Sequence, residues 1–89
     1  MVVYNTDSGV YTLEYRGLEI SVSLDITKSV FNSVEIYRED GTSLAIYQDG
    51  EWERGNMTPV VEGLLQQAAY ALNAEVEGCD IDTDTIYVI

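Results

Sequence analysis

A chain of 89 residues, 46% of them hydrophobic, is the size of one small folded domain, and a net charge of −12 argues against direct binding to nucleic acid or anionic membranes. One cysteine excludes an internal disulfide, and the lack of histidine excludes Ser–His and Cys–His catalytic pairs. No apolar run approaches the roughly 20 residues of a membrane-spanning helix, and no secretory signal is recognisable. We expect a single cytosolic domain over residues 1–89.

The first part of the chain predicts an antiparallel hairpin. Residues 2–4 form a short apolar run that we interpret as a strand, and residues 10–15 and 18–24 then alternate apolar with polar side chains. A two-residue turn at Arg16-Gly17 gives a register in which every apolar residue faces an apolar partner. The predicted pairs are Tyr15 with Leu18, Leu13 with Ile20, and Tyr11 with Val22.

A second hairpin is predicted over residues 34–47. A two-residue loop would place the apolar residues of its two strands on opposite faces of the sheet. A type I turn followed by Gly41 in the left-handed conformation, as a bulge, restores agreement. The pairs predicted by the bulged form are Ile36 with Leu44 and Val34 with Ile46. The outer face of this hairpin would then carry Glu35, Tyr37, Ala45 and Tyr47.

Asp49-Gly50 indicates another turn, and residues 51–53 after it predict a short strand with Trp52 opposite Tyr47. With Tyr37, these two rings would form an aromatic patch on the outer side of the sheet. Such a patch would suit a partner or a second copy of the chain.

Residues 58–78 predict the only helix. Thr58 can cap the first amides, Pro59 fits the first helical position, and Gly78 tolerates the left-handed conformation that ends many helices. Its apolar stripe consists of Val61, Leu64, Leu65, Ala68 and Leu72. Residues 85–89 are β-branched and aromatic and predict a C-terminal strand. The predicted fold class is α+β: an antiparallel sheet of about five to six strands with the helix packed on one face.

The sequence predicts no enzyme activity, no cofactor and no metal site. Cys79 lies among acidic residues, which raise a thiol pKa, and we interpret it as structural. Asp80, Asp82 and Asp84 have the spacing of the first ligands of a calcium loop, but Thr85 stands where that loop requires glycine. Weak, nonspecific binding of divalent ions by this row is the alternative.

Two acidic clusters are predicted. Along a strand, alternate carboxylates lie about 6.6–6.8 Å apart, close to twice the roughly 3.4 Å charge repeat of one DNA strand. The first cluster extends the Asp80, Asp82 and Asp84 row backwards and consists of Glu75, Glu77, Asp80, Asp82 and Asp84. The second, near the hairpin tips, is Glu35, Glu39, Asp40, Glu51 and Glu53. The alternative for both is a solvated acidic surface that keeps the domain soluble.

A very small, histidine-free, strongly acidic chain with hairpins and one helix resembles the small phage-encoded inhibitors, which include anti-CRISPR proteins and DNA mimics. The resemblance covers the whole chain but involves no shared motif. It implies a noncatalytic inhibitor that occupies a basic nucleic-acid groove on a host complex. The candidate partner-binding residues are Glu35, Tyr37, Tyr47, Glu51, Trp52, Glu53, Glu75, Glu77, Asp80, Asp82 and Asp84. The alternative is a structural domain that self-associates through its sheet, for example as a homodimer.

Overall fold

The alternating segments form an antiparallel meander, in which each strand pairs with its neighbours in sequence. A computed structural model describes residues 1–89 as a 6-stranded sheet of order β1-β2-β3-β4-β5-β6, followed by one helix. The strands are β1 (Val3–Asn5), β2 (Val10–Tyr15), β3 (Leu18–Asp25), β4 (Val30–Tyr37), β5 (Ser43–Gln48) and β6 (Glu51–Arg54). The helix α1 spans Pro59–Glu75. The α+β class is therefore confirmed.

The core lies between one face of the sheet, here called the inner face, and α1. It is a single cluster of 16 buried residues, none of them polar or charged. The whole predicted helix stripe is buried, together with Ala69. The inner-face residues with 0% exposure are Ile20, Val22, Phe31, Val34, Ile36 and Ala45. Burial of one face of each element leaves the opposite, outer face of the sheet uncovered.

The β2–β3 hairpin has the predicted register, with Tyr15 opposite Leu18 and Tyr11 opposite Val22. Its turn residues Arg16 and Gly17 have φ angles of 51° and 80°. Positive φ at both central positions is the geometry of a type I′ turn, whose twist matches that of the flanking strands. Turn geometry and apolar pattern thus select the same register.

The predicted register of the β4–β5 hairpin is wrong. The observed pairs are Val34 with Tyr47, Glu35 with Ile46, Ile36 with Ala45 and Tyr37 with Ser43, with an irregularity between Ile36 and Tyr37. Ala45 therefore lies on the inner face. After β6, the chain passes close over Ala45 at Gly55. A Cβ on Gly55 would lie 3.4 Å from the Ala45 Cβ and 3.0 Å from the Leu44 carbonyl oxygen. A small side chain at position 45 makes room for this crossing, so the crossing favours the observed register.

The β5–β6 hairpin places Trp52 opposite Tyr47, as predicted. Both rings nevertheless lie on the core side, which corrects their predicted place on the outer face. Their centroids are 5.0 Å apart at an interplanar angle of 61°, an edge-to-face contact. Tyr47 is 6% exposed, and half-buried Trp52 packs against the core. The outer aromatic patch therefore does not form from Tyr37, Tyr47 and Trp52.

The helix begins as predicted, with Thr58 Oγ1 accepting a hydrogen bond from the Val61 amide at 3.2 Å. It ends at Glu75, three residues before the predicted stop, and Val76 is already extended, with φ −104° and ψ 118°. Glu75 and Glu77 lie at the negative end of the helix dipole, and no basic residue in the last turn offsets their charge. These charges disfavour further helix, and Gly78, with φ 82°, lies in the turn beyond it.

The predicted C-terminal strand is not formed, and the last strand of the sheet precedes the helix. Residues 76–89, here called the C-terminal segment, make a single parallel bridge between Val88 and Phe31. The Ile89 amide donates to the Phe31 carbonyl oxygen at 3.0 Å. Beyond Phe31, the neighbouring edge of β4 is occupied by β5, which pairs with β4 from Val34 to Tyr37. The segment therefore finds only a short free stretch of strand.

Side-chain amides of α1 hold the C-terminal segment instead. Asn73 donates to the Ile81 carbonyl oxygen at 2.9 Å and accepts from the Ile81 amide at 2.8 Å. Gln66 donates to the Thr83 carbonyl oxygen at 3.0 Å. Ile81 and Ile86 are each 6% exposed, so the segment adds two side chains to the core.

Candidate protein-interaction surface

The outer face of the sheet is a surface that no other element covers. The registers of β2 to β5 place three rows of side chains across it. The outer-face residues of these strands are Thr12, Glu14, Glu19, Ser21, Ser23, Ser33, Glu35, Tyr37 and Ile46. One end of this face is neutral and hydroxyl-rich, and the other is acidic.

The neutral end is a ladder of side-chain hydrogen bonds. The hydroxyls of Thr12 and Ser21 are 3.0 Å apart, and those of Ser23 and Ser33 are 2.7 Å apart. The Ser23 hydroxyl also donates to the Asn32 side chain. These polar pairs tie adjacent strands together and leave this end of the outer face without an apolar patch.

The acidic end lies between the β2–β3 and β4–β5 turns, which share one end of the meander. Glu14 lies directly opposite Glu19. The Glu39 side chain extends from the β4–β5 turn to the β2–β3 turn. It lies so close to Gly17 that a Cβ there would be 2.7 Å from Glu39 Oε1. Between these side chains lies an open cavity of about 560 Å³, here called the acidic cleft. It is lined by Glu14, Gly17, Glu19, Tyr37, Arg38, Glu39 and Gly41. Three carboxylates therefore converge on one concave surface.

Tyr37 joins the acidic cleft to the middle of the outer face. Its hydroxyl donates to Glu35 Oε1 at 2.8 Å. The pKa of Tyr37 is raised above its usual value of 10.0. The largest cause is this hydrogen bond, followed by partial burial and by the charges of Glu35 and Glu19. The neutral phenol is therefore favoured as a hydrogen-bond donor on this face.

Replacing Glu35 with glutamine is expected to lower the pKa of Tyr37 toward its usual value, because it replaces the carboxylate that accepts the phenol's hydrogen bond and removes the charge that opposes phenolate formation. The ring resonances of Tyr37, followed by NMR through alkaline pH, measure this pKa. Glu51→Gln makes the same charge change on β6 and is the control, with no shift expected. An unchanged Tyr37 titration in Glu35→Gln would show that Glu35 does not control this phenol.

The basic residues do little to neutralise the carboxylates. Arg38 donates from Nη1 to Thr42 Oγ1 at 3.3 Å and to the Ser43 carbonyl oxygen at 3.1 Å. Arg16 lies over the Tyr15 ring at 5.3 Å. The only ion pair within 4.0 Å joins the terminal amine of Met1 to Glu75, at 3.9 Å. The 16 acidic and 4 basic residues give a net charge of −12, and no lysine or arginine side chain pairs with a carboxylate.

The first predicted acidic cluster does not have strand geometry. Asp80, Asp82 and Asp84 are exposed in the irregular C-terminal segment. Asp82 Oδ1 accepts from the amides of Asp84 at 2.8 Å and Thr85 at 3.3 Å, which makes a local turn. The predicted even spacing of carboxylates is therefore wrong, and no group of three or more potential ligands is arranged to hold a metal ion.

The second predicted cluster is divided between the two ends of the sheet. Glu39 and Asp40 lie at the β4–β5 turn, whereas β6, with Glu51 and Glu53, starts from the β5–β6 turn at the opposite end. Of that cluster, Glu39 lines the acidic cleft, Glu35 accepts a hydrogen bond from Tyr37 of its lining, and Asp40 lies in the same turn as Glu39. Glu14 and Glu19 are not among the predicted site residues, although the predicted β2–β3 register places them opposite each other.

Cys79 has the character of a structural residue. Its thiol donates to Asn73 Oδ1 at 3.3 Å. Burial, with a smaller contribution from the charge of Asp80, raises the pKa of the Cys79 thiol. Both effects disfavour the thiolate that nucleophilic chemistry requires.

No protein-family model, curated protein or solved structure matches this chain. None of the helical structure is long and apolar enough to cross a membrane. The function of the protein must therefore be inferred from the charge and geometry of its surface.

Proposed function

We propose that this protein is a noncatalytic inhibitor that binds a basic, nucleic-acid-binding surface of another protein or complex and blocks it. The observation that supports this proposal is a net charge of −12 with no lysine or arginine side chain paired to a carboxylate. Uncompensated charge of one sign steers association toward surfaces of the opposite sign and speeds the encounter. A groove that binds phosphates is such a surface.

The acidic cleft and the adjoining Glu35 and Tyr37 are the best candidates for the contact. Ionised carboxylates accept hydrogen bonds from arginine in paired geometry, as phosphate oxygens do. Glu14, Glu19 and Glu39 present such groups on one concave surface. The arrangement can therefore offer a basic groove the acceptors that it otherwise finds on a nucleic-acid backbone.

This mode of action is the one expected for the phage-encoded inhibitors that the sequence resembles, including anti-CRISPR proteins and DNA mimics. We extend the proposal to a host complex in the cytosol as the target. Self-association through the outer face has less support, since the carboxylates of two copies would face each other across the contact. The hydroxyl ladder at the other end of this face offers no apolar area to offset that repulsion.

Capture of partners from host lysate, at low and at high salt, tests the proposal. The bound proteins are identified, and DNA or RNA is then added to see whether it displaces them. We expect a nucleic-acid-binding complex that is released by salt and by the competing nucleic acid. Capture that is insensitive to salt, or a partner that nucleic acid does not displace, would overturn the proposal.

Two variants of equal charge locate the contact. One carries Glu14→Gln, Glu19→Gln and Glu39→Gln, and the other carries Asp80→Asn, Asp82→Asn and Asp84→Asn. Each loses three charges from −12, which gives −9. We expect the first to bind the captured complex at least about tenfold more weakly, a change of about 1.4 kcal/mol, and the second much less. A larger loss in the second variant would assign binding to the C-terminal segment instead.

A further inference from the structure

β1 is a short edge strand of three residues that carries no charged side chain, and the Val2 amide just before it donates to Glu75 Oε1 at 3.0 Å. The strand pairs with β2 alone, and no other backbone segment bonds to its outer side. The opposite edge, β6, carries Glu51, Glu53 and Arg54. Charged residues on an edge strand discourage pairing with another chain, whereas β1 has the uncharged sequence Val-Tyr-Asn. The two edges therefore differ in the property that controls strand addition.

Apolar side chains of this edge are exposed on both faces of the sheet. Val3 is 57% exposed on the outer side, beside Thr12, and Tyr4 is 50% exposed on the inner side, beside Tyr11. The rings of Tyr4 and Tyr11 pack with centroids 4.6 Å apart. This packing holds Tyr4 in place while leaving half of it open to a partner.

A hollow flanks β1 on each face. The outer hollow, of about 350 Å³, is lined by Met1, Val3, Thr12, Leu13, Glu14 and Glu19. The inner hollow, also about 350 Å³, is lined by Val2, Tyr4, Tyr11, Glu75, Val76 and Glu77. Successive side chains of an added strand point to opposite faces, so they would enter the two hollows alternately.

Both hollows combine apolar walls with carboxylates. Glu14 and Glu19 border the outer hollow, and Glu75 and Glu77 border the inner one. No lysine or arginine lines either hollow, and the one cation there, the terminal amine of Met1, lies 3.9 Å from Glu75 Oε2. A strand that carries lysine or arginine among apolar residues is complementary to this edge. A second copy of the chain is not, because its own carboxylates would meet these four.

We propose that β1 accepts an extended, basic segment of the partner protein as an additional antiparallel strand. Main-chain hydrogen bonds to β1 would hold the segment, and its side chains would enter the two hollows. The inference rests on the proposed function for the sign of the partner's charge. It adds a second mode of contact, which anchors the partner beside the acidic cleft.

A short peptide of alternating valine and lysine is the probe, observed by NMR on the full chain. We expect chemical-shift changes and slower amide exchange in Val3–Asn5, with changes around both hollows and none in Glu51–Arg54. The matched control is a peptide of the same charge in which proline replaces each valine, since proline cannot donate to a strand ladder. It should bind at least about tenfold more weakly, or about 1.4 kcal/mol.

The outcomes separate this inference from the proposed function. Equal binding of the two peptides, or shifts confined to the acidic cleft or to β6, would overturn strand addition and leave electrostatic binding in place. Failure of the valine–lysine peptide to bind would also overturn it. Selective binding of that peptide at β1, together with salt-insensitive capture of partners from lysate, would support the edge site and overturn the inhibitor proposal.

Discussion

Replacing Phe31 with alanine is expected to lower the free energy of unfolding by about 3–5 kcal/mol. Phe31 is 0% exposed and lies where β4 meets the C-terminal segment. Loss of the ring removes apolar burial and leaves a cavity beneath residues that a single bridge connects to the sheet. Small domains are stable by only about 5–15 kcal/mol, so this one change would remove a large share.

Urea denaturation followed by Trp52 fluorescence measures the loss. Tyr70→Ala is the control, because Tyr70 is 56% exposed on the helix, as predicted. Its effect should stay within about 0.5 kcal/mol, as for most surface substitutions. A loss under about 1 kcal/mol in Phe31→Ala would contradict the central place of this ring in the core.

Replacing Asn73 with alanine is expected to lower stability by about 2 kcal/mol and to loosen the C-terminal segment. The Asn73 amide makes two hydrogen bonds to the backbone of Ile81, at 2.8 and 2.9 Å. Each such bond contributes about 0.5–1.5 kcal/mol, and Ile81 is a buried residue whose backbone groups would lose their partners.

Two measurements test this prediction: urea denaturation gives the loss of stability, and hydrogen exchange at the Ile81 amide gives the loosening of the C-terminal segment. Gln66→Ala is the matched control, because Gln66 donates a single bond to the segment, at the Thr83 carbonyl. It should cost about half as much, given that each bond contributes about 1 kcal/mol. Unchanged protection of the Ile81 amide in Asn73→Ala would mean that the packing of Ile81 and Ile86 and the remaining hydrogen bonds hold the segment without Asn73.

The β2–β3 hairpin could be predicted in full because two independent signals agree there. The Arg16-Gly17 turn sets a register, and that register pairs every apolar side chain with another on the core face. The β4–β5 hairpin lacks such agreement, because residues 44–47 are apolar on both faces of the strand. Its register depends on the crossing of the chain at Gly55, a contact between distant parts of the fold that no local pattern reports.

The C-terminal strand was a reasonable expectation from β-branched composition, but strand formation also needs a free partner edge. That edge is short here, since β5 already pairs with β4 from Val34 onward. Residues 85–89 therefore show the limit of composition as a predictor. The helix start, by contrast, follows from Thr58 and Pro59 themselves and was predicted correctly.

The acidic cleft was only partly predictable. Glu14 and Glu19 face each other in the predicted register, so half of the cleft followed from the sequence. The approach of Glu39 to Gly17 requires the strand order, which brings two separate turns together at one end of the sheet. Conversely, Tyr47 and Trp52 were assigned to the surface because the register error placed them on the wrong face.

The meander also bears on how the chain acquires its structure during synthesis. All of the strands lie within residues 3–54, and each pairs with a sequence neighbour, so the sheet can assemble hairpin by hairpin as the chain leaves the ribosome. Its inner face, including Ile20, Phe31 and Ile36, has no cover until residues 59–89 emerge. A pause in translation between β6 and α1 would therefore leave a finished sheet with an exposed apolar side, the state of this protein most exposed to aggregation.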